Sequence, residues 1–335
     1  MKILITGITG FVGSHLAEYI ITNFAENKIL GLVRWRAPVE NIKHILDKIK
    51  LCYGDLLDIP SLKAILREEK PEVIFHLAAQ SYVDFSFSSP IATLQANVLG
   101  TCNLLEAVKE LKFSLNYDPI VHICSSSECY GQVKEDEVPI KEENPFRPAS
   151  PYAVSKVAED MLGLQYWLSW KIKTIRTRLF THTGPRRGEV FAESSFAKQI
   201  ASIEKNLIPP VIKVGNLESI RTFLDVKDAV RAYWILVNKC PPGEVYNIGG
   251  KETMSVGEML NRLIGLSSVK DIKIEVDPAR LRPSDVTLQI PCIDKFKNKT
   301  GWQPEIPFEK TLNDLLEYWR EELSYAPWKA LTVAK

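Results

Sequence analysis

Short aliphatic, β-branched runs alternate along the first half of the chain with longer stretches whose apolar residues recur three and four positions apart. "KILITG" (2–7) reads as a buried strand, and "FVGSHLAEYIITNF" (11–24) as the helix after it. "KILGLVR" (28–34), "IKLCYGD" (49–55), "EVIFHLAA" (72–79) and "PIVHICSSS" (119–127) read as further strands, with helices near 60–69, 93–112 and 152–169. Parallel neighbours need a crossover, so this alternation predicts an α/β fold with a doubly wound parallel sheet. Beyond about residue 180 prolines increase and the elements shorten. "EVYNIGG" (244–250) is an apolar segment there, and "SVGEMLNRLIGL" (255–266) and "FEKTLNDLLEYWREEL" (308–323) are amphipathic helices. The expected division is a first domain over 1–180 and a smaller α/β lobe over 181–325. Some segments of that lobe return to the first sheet, and 326–335 is a tail.

Composition narrows the classes. With 335 residues, 45% of them hydrophobic, the chain can bury a full core. A net charge of +1 makes no electrostatic case for nucleic acid or an anionic membrane. No apolar run approaches the roughly 20 residues that span a bilayer, and no signal segment precedes the first strand. Six cysteines without paired short spacing read as reduced thiols of a cytoplasmic protein, and five scattered histidines give no metal site.

The chemistry begins at "TGITGFVG", where Gly7, Gly10 and Gly13 fall between the first strand and first helix. The first glycine permits a tight turn, the second a close approach of backbone to a pyrophosphate, and the third close helix–strand packing. The helix N-terminus then holds the anion. After the second strand, "GLVRWRAP" offers Arg34 and Arg36 in place of a carboxylate, which favours the 2′-phosphate of NADP; a solvated basic turn is the alternative, and NAD stays open. Asp55 ends the third strand, where it can accept from an adenine amino group, and "HLAAQS" (76–81) ends the fourth with small residues.

"RPASPYAVSKVAED" places Tyr152 and Lys156 four apart on one helix face, with Ser150 at the cap and Pro151 at the first position. The ammonium favours the phenolate and makes the tyrosine usable as a base. A surface pair is the bland alternative. Ser126, after the fifth strand, can hydrogen-bond a substrate oxygen. Glu128, two residues on in "SSSECYG", is either a solvated loop carboxylate or an acid/base.

Together these motifs resemble the extended short-chain dehydrogenase/reductases, whose sheet is Rossmann-type. Within them the chain is similar to the branch of GDP-mannose 4,6-dehydratases and GDP-4-keto-6-deoxymannose reductases, over about residues 1–322. The stretches specific to the branch are "SSSECYG", "PFRPASPYAVSK", "THTGPRRGEVF", "GNLESIRTFLDVKDAVRAYW" and "LRPSDV". The resemblance implies a GDP-hexose substrate and a nicotinamide held by Gly7, Thr9, Gly10, Phe11, Val12, Gly13, Arg34, Arg36, Asp55, Leu56, Leu77, Ala78, Ala79, Tyr152, Lys156, His182 and Arg187. Gln80, Ser81, Ser126, Thr181, Arg187, Asn216, Arg221, Arg282 and Asp285 are implied on the substrate, with the arginines on the diphosphate and Asp285 on the nucleoside. Ser126, Glu128, Tyr152 and Lys156 are the implied catalytic set.

In the related dehydratases a carboxylate at the Glu128 position drives elimination of water. Glu128 and the "VRWR" turn therefore favour a dehydratase. "THTGPRRGEVF" and "LRPSDV" read closer to the reductase, which is the alternative. A cofactor-sensing protein on this fold is a third reading, against which Ser126, Tyr152 and Lys156 all stand. Phe180-Thr181-His182 departs from the branch's Phe-Asn-His, and Ser126 replaces its threonine. Leu104, Val108, Val157, Met161, Leu164 and Leu168 exceed what one buried helix face needs, and the family pairs these helices, so a homodimer or homotetramer is expected.

Overall fold

A computed structural model describes residues 1–331. The first half runs β1 (Lys2–Thr6), α1 (Phe11–Asn23), β2 (Lys28–Val33), β3 (Ile49–Tyr53), α2 (Ile59–Glu69), β4 (Val73–His76), α3 (Val83–Ser88), α4 (Pro90–Leu94), α5 (Gly100–Leu115), β5 (Ile120–Ser126), α6 (Pro151–Trp170) and β6 (Lys173–Leu179). There follow β7 (His182–Thr183), α7 (Ala192–Glu204), β8 (Val211–Val214), β9 (Ile220–Asp225), α8 (Val226–Lys239), β10 (Val245–Ile248) and β11 (Glu252–Ser255). The chain ends with α9 (Val256–Gly265), β12 (Lys273–Val276), β13 (Leu288–Gln289), α10 (Asp294–Thr300) and α11 (Phe308–Tyr325). Pro327–Leu331 forms a short 3-10 turn after α11; residues 332–335 lie outside the described residues.

Seven strands make one sheet in the order β10-β6-β5-β4-β1-β2-β3, parallel at every pairing. The doubly wound parallel sheet is thus present, and its seventh strand is drawn from residues 245–248. Connections run one way from β1 through β2 to β3 and the other way from β4 outward. The crevice between β1 and β4 is therefore the switch point above which such sheets bind ligands.

Hydrophobic packing covers both faces. Ile3, Ile5 and Phe75 pack with Leu16 and Ile20 of α1 and with Val230, Tyr233 and Leu236 of α8. Leu4, Ile74 and Val121 pack on the opposite side with Leu62 and Leu66 of α2 and with α5. A separate cluster joins α7, α9 and α11, with Phe196, Ile200, Leu260, Leu312 and Leu316 at its centre.

Two sequence expectations change. The helix expected near 93–112 is broken: α4 leads through a π turn, Gln95–Leu99, into α5. The wider turn carries Asn97, whose side chain accepts from the Gln80 backbone N–H (2.7 Å) and donates to the Gln80 carbonyl (3.0 Å) and Ser155 Oγ (2.8 Å). Leu104 and Val108 are not surplus apolar residues. Both are fully buried against α2 and the sheet. Of that set, Val157, Met161 and Leu164 are half-buried and Leu168 is exposed.

Candidate active site

The site lies above the carboxyl ends of β1, β4 and β5. Gly7 takes φ +72°, and a Cβ there would come 2.9 Å from the Ala78 backbone. A Cβ on Gly13 would come 2.2 Å from the Gly7 carbonyl oxygen, so only hydrogen at both positions lets α1 begin directly over the strand. Gly10 caps α1 in extended conformation and Phe11 and Val12 form its first turn. Thr6 Oγ1 accepts from the backbone N–H groups of Leu77 and Ala78, each at 3.1 Å, which ties the "HLAA" segment to the glycine turn. Thr9 carbonyl accepts from Asn41 Nδ2 at 2.9 Å.

Arg34 and Arg36 are exposed after β2, with Arg36 at φ +59° and Trp35 exposed between them. Asp55 Oδ1 accepts from the Leu57 N–H at 2.9 Å, and the Leu56 carbonyl accepts from Asn103 Nδ2 at 2.9 Å. Ala79 is half-buried and Ser81 exposed. The Gln80 side chain serves its own loop, donating to the Tyr82 carbonyl and to Thr93 Oγ1 and accepting from the Tyr82 N–H.

Tyr152 and Lys156 are both buried on the first turns of α6, which Ser150 caps by accepting from the Ala153 N–H at 3.0 Å. Desolvation pushes the Tyr152 phenol up to about 12; Lys156 and a hydrogen bond with Ser126 pull the other way, and Glu159 adds to the rise. Lys156 Nζ donates to the Cys124 carbonyl at 2.7 Å and to Glu159 Oε2 at 2.8 Å. Burial works against that ammonium, but Glu159, Tyr152 and Cys124 together outweigh it and the lysine stays charged. Ser126 ends β5, and its Oγ accepts from the Glu128 N–H at 3.2 Å.

Glu128 sits in the 3-10 turn Ser127–Cys129 and is half-buried. Desolvation raises its carboxyl above the ordinary carboxylate range, against the positive charges of Arg221 and Arg282 and with the Asp285 charge assisting. Arg282 Nε donates to Asp84 Oδ1 at 2.6 Å, tying the 278–286 segment to α3 across the cleft. Asp285 Oδ2 accepts from Asn216 Nδ2 (2.8 Å) and Ser219 Oγ (3.0 Å), and Arg221 lies 3.7 Å from Asp285 Oδ1.

On the other flank, the His182 ring stacks on Phe11 at 5.7 Å and is held neutral by burial and by Arg187, its pKa pushed down to about 3. The Arg187 guanidinium lies 3.5 Å from the Phe191 ring centroid. The Thr181 carbonyl accepts from the Leu224 N–H at 3.0 Å.

Whether these residues fit an anionic dinucleotide and a nucleoside diphosphate can be tested on the donors left over. Arg187 Nε and Arg221 Nη1 are buried with no partner among the described residues, and such donors are costly to leave unfilled. Two unfilled guanidinium donors flanking the glycine cradle and the Glu128 turn fit phosphate oxygens. Four polar residues of the site were not anticipated. Asn97 emerges only from the π turn. Asp84 lies 198 residues before its partner Arg282. Gln289, buried with Oε1 unpartnered, reaches the Ser127 carbonyl at 3.4 Å. Glu159 looks from sequence like any helix carboxylate.

The sequence profile described as GDP-mannose 4,6 dehydratase matches residues 4–315. The chain belongs to the GDP-mannose 4,6-dehydratase family. Within it the chain is 34% identical over 322 residues to a GDP-6-deoxy-D-mannose reductase of Pseudomonas aeruginosa, covering 96% of this chain and 98% of that one. It is 32% identical over 349 residues to a GDP-mannose 4,6-dehydratase of Vibrio cholerae serotype O1, covering 93% and 92%. Among solved structures, that of RMD from Pseudomonas aeruginosa complexed with NADPH superposes with a TM-score of 0.82 at 32% identity, covering 96% of this chain and 99% of that one. Family membership thus accords with the Rossmann-type sheet and with the resemblance drawn from the motifs. Among the described residues no helix is long and apolar enough to cross a membrane.

Proposed function

We propose that this chain is an NADP-dependent enzyme acting on a GDP-hexose, and that its reaction is 4,6-dehydration of GDP-mannose. The observation that carries the dehydratase reading is Glu128: a carboxyl in the turn whose N–H bonds Ser126 Oγ, raised by burial and within the electrostatic reach of Arg221 and Arg282. Oxidation at C4 requires only a phenol and its neighbours; elimination of the C6 hydroxyl requires a further base near C5.

A nicotinamide held there would supply reversible hydride acceptance, which 4,6-dehydration needs at C4 and C6. Tyr152 acts here as the phenolate, the form that the Lys156 charge and the Ser126 hydrogen bond favour, and takes the proton of the C4 hydroxyl. Glu128, ionised, takes the C5 proton that the new ketone acidifies. It passes that proton to the departing C6 hydroxyl, which leaves as water. C5 then regains a proton from solvent, balancing the one released from the C4 hydroxyl. Arg221 and Arg282 hold the diphosphate, Arg187 and the glycine turn the dinucleotide, and Arg34 and Arg36 the 2′-phosphate. The half-buried Val157, Met161 and Leu164 with the exposed Leu168 support association through α6 as a dimer.

A reductase reading has a specific observation behind it. The Tyr152 phenol is held protonated, up to about 12, which suits donation of a proton to a 4-keto sugar. Incubation with GDP-mannose and catalytic NADP separates the two. Formation of a 4-keto sugar without net nicotinamide reduction is expected. Inertness toward GDP-mannose, with NADPH consumption on the 4-keto sugar, would establish the reductase instead.

A further inference from the structure

We propose that Glu159 is a positioning residue that fixes the Lys156 ammonium and, by offsetting its charge, keeps the Tyr152 phenol protonated over a wider pH range. This rests on the reading of Tyr152 as the acid/base of the site. Lys156 has three N–H donors. Two are committed, to the Cys124 carbonyl at 2.7 Å and to Glu159 Oε2 at 2.8 Å, which leaves one for the tyrosine and cofactor side.

The pair is not explained by stability alone. Glu159 is 1% exposed, and among the described residues its Oε1 has no partner and Lys156 is its one ion-pair partner. A buried carboxylate with half its acceptors empty is costly. Asp160, the next residue, shows the contrast: its two oxygens take Arg176 at 2.7 Å and Arg178 at 2.8 Å.

The other groups facing the pair leave Glu159 as the opposing charge. His76 and His122, from β4 and β5, are held neutral by burial, each pushed down to about 3. The Cys124 thiol and the Tyr233 phenol of α8 are raised by burial and stay protonated. Asp160 is spent on Arg176 and Arg178, and Arg187, lowered by burial, is a further cation within electrostatic reach of Tyr152. Burial outweighs the pull of Lys156 and leaves Glu159 raised to about 7, so it carries its full charge on the alkaline side, where Tyr152 titrates.

The test is the ionisation of Tyr152 itself, followed by the 13Cζ resonance of labelled tyrosine and assigned with Tyr152→Phe. Glu159→Gln keeps an oxygen that can accept from Lys156 but removes the charge. Tyr152 is expected to ionise lower by on the order of one pH unit, with the tyrosine limb of the turnover profile moving down equally. Glu159→Met fills the same volume with no amide to desolvate and is expected to give the same shift. A Tyr152 ionisation within about 0.3 pH units of wild type in the folded variants would overturn the proposal. If instead Tyr152→Phe leaves turnover intact, it is the acid/base reading of Tyr152 that fails.

Discussion

Glu128→Gln is the perturbation that isolates the elimination step. Among the described residues no hydrogen bond holds the Glu128 carboxylate, and its surroundings already disfavour the charged form. The amide therefore removes the charge without stranding a partner, and the urea midpoint should be unchanged or slightly raised. A positioned general base contributes about 10²–10⁴-fold, or roughly 3–5 kcal/mol of barrier at about 1.4 kcal/mol per decade. kcat for dehydration of GDP-mannose should fall by that factor. KM should hold or drop, because a negative charge beside Arg221 and Arg282 has been withdrawn from an anionic substrate. The pH profile fixes the sign. The base acts ionised, so the rate falls as pH drops through the raised Glu128 pKa, a limb above the ordinary carboxylate value of about 4.3. The variant should lack that limb. The assay is 4-keto sugar formation with catalytic NADP, alongside deuterium incorporation at C5 in heavy water. Turnover within threefold of wild type, with the acid limb intact, would remove Glu128 from the mechanism.

Three further outcomes test the surroundings. Gly13→Ala must push α1 off the Gly7 carbonyl, given the 2.2 Å approach; NADPH affinity by fluorescence titration should fall at least about tenfold, roughly the loss of one charge-assisted hydrogen bond. Arg221→Ala should raise KM for the GDP-sugar by about ten- to a hundredfold, through loss of a charged phosphate donor, with a smaller change in kcat. Asp160→Asn strands the buried Arg176 and Arg178 guanidinium groups; chemical denaturation should show a loss of about 3–5 kcal/mol.

Legibility followed how local each signal was. The five N-terminal strands and the glycine turn could be read because β-branched runs and a Gly7/Gly10/Gly13 spacing are properties of neighbouring residues. Tyr152 and Lys156 were legible for the same reason, four apart behind a Ser-Pro cap. Glu128 could be located from its motif, but its half-buried setting against Arg221 and Arg282 depends on chain nearly a hundred residues or more away. Leu104 and Val108 were misread as surplus because nothing near them in sequence announces that Leu62 and Leu66 of α2 pack across them. The π turn at Gln95–Leu99 has no composition signature; it carries Asn97, whose side chain bonds the Gln80 backbone 17 residues earlier. Glu159 was invisible in principle: i,i+3 to a lysine is the commonest surface pattern on a helix, and only the packing of α6 on β5 buries it.

The central claim is that hydride leaves C4 and comes back to C6 of the same sugar within one turnover. GDP-mannose carrying deuterium at C4, incubated with the enzyme and a trace of unlabelled NADP, tests it directly by NMR of the product. Deuterium at C6 of a 4-keto-6-deoxy sugar, with one solvent proton at C5, is the expected result. Unreacted GDP-mannose, or deuterium accumulating on the nicotinamide, would contradict the dehydratase assignment.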